Sequence, residues 1–143
     1  MVDTNIFNKL LDGKFDIQIF RGEDLQFFTT HIQRDEIERT PDESRRKKLL
    51  NIFHEISSSL PTESGLWDVS KWDEAKWPKD DLVSNILVGL DRSKKKKNNK
   101  HDALIADTAI KNQMILLTED GTLFDVTKQL GGNVERLEDF IKC

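Results

Sequence analysis

The chain has 143 residues, 34% of them charged, and a formal net charge of −4. That length suits one ordinary domain, able to bury about two-thirds of its unfolded surface. The acidic balance argues against a protein that coats nucleic acid without sequence preference, because phosphate binding rests on concentrated Lys and Arg. A nuclease stays open, since a cluster of acids contributes negative charge that a bound cation reverses locally. The only cysteine is Cys143, so no intrachain disulfide is expected and a cytoplasmic setting fits. No apolar run approaches the ~20 residues of a membrane helix, no signal-peptide pattern opens the chain, and no membrane partner is expected.

Only Met1 and Val2 precede Asp3, so a first strand would be very short. A helix is expected from about Asn5 to Leu11, closed by the turn Asp12-Gly13. Phe15–Gly22 is ambiguous, with Phe15, Ile17 and Ile19 alternating as in a strand. Leu25–Thr29 is a β-prone run, and Thr30 with Gln33 has capping-box spacing for the helix after it. Thr40-Pro41-Asp42-Glu43 is a stronger start, with Thr40 as cap, Pro41 in the first helical position and Glu43 completing the box. That helix places Leu49, Leu50, Phe53 and Ile56 on one face, and Ser57–Ser59 with Pro61 ends it. Pro61–Asp81 has no clear period and holds Trp67, Trp72 and Trp77. Their five-residue spacing fits neither one helical nor one strand face; packing of a long insert and base stacking are the two readings.

A helix is expected over Leu82–Leu90, followed by a basic run from Arg92 to Lys100. Asn99, three residues before Asp102, reads as a cap for the next helix. Met114–Leu117 is a continuous apolar run of the kind found in buried parallel strands. Leu123–Leu130 reads as a helix stopped by Gly131-Gly132, Asn133–Leu137 as a last strand and Glu138–Ile141 as a turn. Strands alternating with helices predict a three-layer α/β/α sandwich with a central parallel sheet.

Four acids are placed to share one edge of such a sheet. Asp3 follows the short apolar start, Glu36 lies on the helix after Leu25–Thr29, Asp102 opens a helix and Asp120 follows Met114–Leu117. Strand ends and the helix starts after them gather along one edge of an open parallel sheet. Crowded carboxylates resist ionising, so a cluster calls for a cation, and hard Mg²⁺ or Mn²⁺ suits oxygen donors. Each acid also has a structural reading: Asp3 as an N-cap, Asp102 as a first-turn acid and Asp120 as a turn residue. Glu36 shares a face with Ile32, whereas Asp35 and Glu38 point elsewhere. Asp107, roughly 140° around the helix from Asp102, reads as a surface partner of Lys111.

Val2-Asp3-Thr4-Asn5, Glu36-Ile37, Asp102-Ala103-Leu104-Ile105-Ala106 with Thr108-Ala109, and Leu117-Thr118-Glu119-Asp120 resemble, in order, the motifs of the PIN-domain nucleases. Each motif alone is weak; their order and span give the resemblance its weight. The resemblance implies a metal-dependent endonuclease, most often acting on RNA, in which Asp3, Glu36, Asp102 and Asp120 hold one or two Mg²⁺ or Mn²⁺ ions. Thr4, Asn5 and Thr118 would orient the carboxylates or waters. Many small members of the family are bacterial toxins restrained by an antitoxin protein, and many form homodimers. Lys94, Lys95, Lys96, Lys97 and Lys100 would contact the polyanion, against the alternative of a solvated loop. His31 and His54 lack a partner set, and no Cys/His zinc spacing occurs. The competing classes are an RNA-binding or scaffold domain without catalysis and a Mg²⁺-dependent phosphohydrolase of small phosphates.

Overall fold

The computed structural model describes residues 1–22, 24–62, 82–93 and 99–142, and elements are numbered in chain order among these. Trp67, Trp72, Trp77, Lys94–Lys97 and Cys143 lie outside the described residues. The architecture mixes helices with short parallel strand pairs. Two compact units divide the chain: the first takes Met1–Pro61, Leu117–Glu119 and Glu135–Cys143, the second Thr62–Leu116 and Asp120–Val134. Among the described residues, no helix is long and apolar enough to cross a membrane.

In the first unit, helix α1 (Thr4–Leu11) starts at Asp3, whose carboxylate accepts from the Thr4 amide, and buries Ile6, Phe7 and Leu10. Gly13 takes a φ of 74°, a left-handed turn that costs glycine little. The ambiguous segment after it is a 3₁₀ turn, Ile17–Arg21, rather than a strand. Asp16 caps this turn, and Phe20 points into the core beside Phe27, their ring centroids 4.5 Å apart.

Strand β1 is only Phe28–Thr29, shorter than the β-prone run around it. Helix α2 (His31–Glu38) opens with the expected Thr30/Gln33 capping box. Gln33 is fully buried and also donates to the Val2 carbonyl at 3.0 Å. Helix α3 (Glu43–Ile56) is capped by Asp42, which accepts from the Arg45 amide at 2.9 Å, and not by Thr40 as expected. Thr40 is occupied otherwise: its amide donates to the Ile37 carbonyl and closes α2, and its carbonyl accepts from Arg46. Leu49, Phe53 and Ile56 of α3 are buried, as their spacing predicts. Strand β2 (Ser58–Ser59) then pairs in parallel with β1, Phe28 opposite Ser58 and Thr29 opposite Ser59.

Met1 and Val2 make the backbone links that set the site. Val2 donates to the Phe28 carbonyl at 2.9 Å, Leu117 donates to Met1, and Asp3 donates to Leu117 at 3.0 Å. Val2 and Leu117 form a single parallel bridge, so the short first strand is one bridged residue. Thr118 continues this pairing to the Glu135 carbonyl. The core beneath joins Val2, Ile6, Phe7, Ile37, Leu49 and Phe53.

In the second unit, helix α4 (Leu82–Ser93) packs against α5 (Asn99–Lys111) and α6 (Gly121–Gln129). A methyl group on Gly89 would come within 2.9 Å of Val126, so glycine there lets α4 and α6 approach closely. Asn99 is the first described residue of α5 and donates to Asp91 at 2.7 Å. Strand β3 (Ile115–Leu117) pairs with β4 (Asn133–Glu135), and in the first unit helix α7 (Leu137–Ile141) replaces the turn expected at the end. Leu137 opens that helix rather than closing the strand, because its side chain is fully buried and its amide donates to Glu119.

Candidate functional site

Asp3 stands where the Val2 bridge meets the start of α1, and both of its carboxylate oxygens are engaged. Oδ1 accepts from the Thr4 amide at 2.8 Å; Oδ2 accepts from the Thr118 hydroxyl at 2.7 Å and the Asn5 amide at 3.0 Å. The side chain is 5% exposed. A carboxylate offers about four lone-pair sites, of which the cap takes one. The cap and ligand readings of Asp3 are therefore compatible, because the cap uses a single lone pair of Oδ1.

Thr4 links the two acids of the first unit. Its amide is held by Asp3, and its hydroxyl donates to Glu36 Oε2 at 2.5 Å. Glu36 is half-buried on α2; Glu38 is exposed, and Arg34 lies 3.9 Å from both Asp35 and Glu38. Burial pushes the Glu36 carboxyl above its ordinary range, opposed by the Thr4 hydrogen bond and by the charge of nearby Arg39. Asn5 also reaches Thr118 at 3.4 Å and accepts from the Glu119 amide at 3.3 Å. Asp3, Thr4, Asn5, Glu36 and Thr118 thus form one hydrogen-bonded cluster.

The raised Glu36 carboxyl has a consequence for stability. Between its ordinary and raised values, the folded chain holds a proton that the unfolded chain has lost, so stability falls as pH rises through that window. Glu36 accordingly costs the metal-free protein stability at neutral pH and costs nothing below about pH 4. Glu36→Gln is expected to raise the melting temperature in EDTA at pH 7, with the gain vanishing below pH 4. A pH series of melts checks this, and a gain that grows as pH falls would contradict it.

Asp102 and Asp120 belong to the second unit. Asp102 is half-buried in the first turn of α5, and Asp120 caps α6 by accepting from Thr122 and Leu123. Among the described residues, no three His, Cys, Asp or Glu side chains stand close enough to hold a metal ion together. Lys100 is exposed on α5. Asp107 pairs with Lys111 at 2.9 Å but is fully buried, so this pair is not the surface contact expected. The reason is that Ala103–Ala109 is buried throughout, leaving this part of α5 no solvent face.

The chain matches no protein-family model and no curated protein.

Sequence reasoning passed over Glu119, which ties this region together. Glu119 accepts from Lys9 at 2.9 Å and from the Leu137 amide at 3.0 Å, and its carbonyl accepts from Arg136. Burial would raise its carboxyl, but the Lys9 and Leu137 hydrogen bonds with the Lys9 and Arg136 charges hold it below its ordinary range. Nothing local in the sequence links Lys9 to Glu119. Their pairing follows only from where β3 ends beside α1.

Proposed function

We propose that this protein is a metal-dependent endonuclease of the PIN-domain type acting on RNA. In this reading Asp3, Glu36, Asp102 and Asp120 hold Mg²⁺ or Mn²⁺ at the edge of a three-layer α/β/α sandwich with a central parallel sheet. The observation that carries the proposal is the joining of Asp3 and Glu36, far apart in sequence, through Thr4. Their donors are all oxygens, which suits a hard cation rather than zinc. The part given to Asp102 and Asp120 is supported by the order of the motifs. A cognate antitoxin, self-association and a cytoplasmic setting belong to the same reading and rest on the resemblance alone.

The residues would divide the work as follows. Thr118 and Asn5 fix Asp3, and Thr4 ties Glu36 into the same cluster. Glu36, disfavoured as a buried anion, would be relieved by a cation, so ligand binding would lower its raised carboxyl. A bound divalent ion would supply Lewis acidity and neutralise charge building on the phosphodiester oxygens. Lys94–Lys97 and Lys100 would draw the polyanion in.

Incubating the protein and Mn²⁺ with an RNA oligonucleotide or a nucleoside monophosphate separates the candidate classes. RNA cleavage without release of phosphate from the monophosphate is expected. Glu36→Gln should lower that cleavage by at least ~100-fold, the upper range for loss of an outer partner of a metal site. Glu38→Gln should leave it nearly unchanged, because Glu38 is exposed and stands beside Arg34. Greater sensitivity at Glu38 than at Glu36 would remove the proposed role of the α2 acid. Hydrolysis of the monophosphate alone would replace the nuclease reading with a small-phosphate hydrolase.

A further inference from the structure

A cavity of about 320 Å³ opens in the first unit, lined by Leu11, Asp12, Asp42, Ser44, Arg45 and Lys48. Its volume falls within the ~300–1,000 Å³ range of small-ligand pockets. None of its lining residues belongs to the acid cluster, yet helix α1 connects the two. Thr4, Asn8 and Asp12 are spaced i, i+4 and i+8 and so share one face of α1. At the first position Thr4 holds Glu36. At the other two, Asn8 and Asp12 hold the Arg45 guanidinium, with bonds of 2.9 Å from Nη1 to Asp12 Oδ1 and from Nη2 to Asn8 Oδ1, and of 3.4 Å from Nη2 to Asp12 Oδ2. Asn8 closes the line by donating to the Thr4 carbonyl at 3.4 Å.

The chemistry of this cavity is mixed in a way that excludes a simple anion site. Two carboxylates, Asp12 and Asp42, face one ammonium and one guanidinium. The Arg45 hydrogen bond holds the Asp12 carboxyl below its ordinary range. Asp42 uses one oxygen to cap α3 and keeps the other as an acceptor. Arg45, fixed in its plane by Asp12 and Asn8, offers a preorganised flat surface of the kind on which unstacked bases rest. Lys48 adds an exposed ammonium, and Leu11 an apolar contact. A nucleotide combines the complementary parts: an aromatic face, an amino donor and a phosphate.

We infer that this cavity is a base-recognising subsite for single-stranded RNA. Asp42 accepts from the exocyclic amino group of a base, Arg45 supplies the stacking plane and Lys48 meets the adjoining phosphate. The eight steps from Thr4 to Asp12 span ~12 Å of helical rise. A stacked strand rises ~3.4 Å per nucleotide, so the recognised base lies about three to four nucleotides from the acids. Cytosine fits and uracil does not, because uracil carries a carbonyl oxygen where cytosine carries the amino group, and carboxylates repel it. The distance to the acids rests on the nuclease reading; the base preference rests on the cavity alone.

Fluorescence anisotropy in EDTA, with labelled ten-nucleotide oligocytidylate and oligouridylate, tests the subsite without any cleavage. The wild type should bind oligocytidylate roughly tenfold more tightly, the size of one charge-assisted hydrogen bond. Asp42→Asn keeps the helix cap, since Asn caps as well as Asp, and should erase most of that preference. Lys48→Ala should weaken both oligonucleotides alike and lower the slope of log K against log salt by ~0.7. Equal wild-type affinities, or a preference undiminished in Asp42→Asn, would overturn the subsite. An unchanged salt slope in Lys48→Ala would overturn the phosphate contact. Absence of metal-dependent cleavage with the cytidine preference intact would sink the nuclease reading and leave the subsite standing.

Discussion

Asp3→Ala is expected to destabilise the fold by about 2–4 kcal/mol, from one lost helix cap, one buried hydroxyl left without its acceptor and one part-buried amide contact. The Thr118 hydroxyl is fully buried, and Asp3 is its 2.7 Å acceptor. Asn5 loses one of its amide contacts, and the Thr4 amide loses the bond that starts α1. Water does not readily replace the carboxylate at a position only 5% exposed. Asp3→Asn should fall between alanine and wild type. Asn can cap, but it has one oxygen where three donors now share two. Urea unfolding of the three proteins measures the difference. A loss below about 0.5 kcal/mol for Asp3→Ala, the range of ordinary surface substitutions, would mean that the cluster contributes nothing to the fold.

The elements that sequence reasoning placed well are those with local signals. The Thr30/Gln33 box and the apolar face Leu49/Phe53/Ile56 each involve residues within about two turns, and both appear as expected. Starts went astray where two residues competed for one role. Thr40 and Asp42 could each cap α3, and Thr40 was already committed to closing α2. Asn99 has the spacing of a cap, and its contact to Asp91 across eight residues is one that this spacing does not reveal. A helix buried on every side hides its own periodicity, which is why Asp107 read as a surface residue.

Strands were harder than helices, for a physical reason. With two or three residues each, β1, β2, β3 and β4 carry almost no alternation, and their pairing is set by distant partners. The site divides in the same way. Asp3, Thr4 and Asn5 are adjacent in sequence, and Thr118 enters through its motif, so their association could be read from motif order. The Arg45 contacts to Asn8 and Asp12 span 37 and 33 residues and could not be read so.

Removing the Asp102 carboxylate is expected to abolish the stabilisation conferred by divalent metal. A ligand that binds only the native state stabilises it by about 2.7 kcal/mol at a hundredfold excess over its dissociation constant. For a chain of this size that corresponds to a rise of roughly 5–10 °C in melting temperature. Asp102→Asn keeps the shape and polarity of the side chain at the start of α5 and removes its charge, so a first-turn structural role would be weakened only slightly. The measurement is a pair of thermal melts, in EDTA and in saturating Mn²⁺, for the wild type and for Asp102→Asn. A large Mn²⁺-induced shift in the wild type that collapses in the variant is the result the four-acid site requires. Equal shifts in the two proteins, or no shift in either, would contradict it.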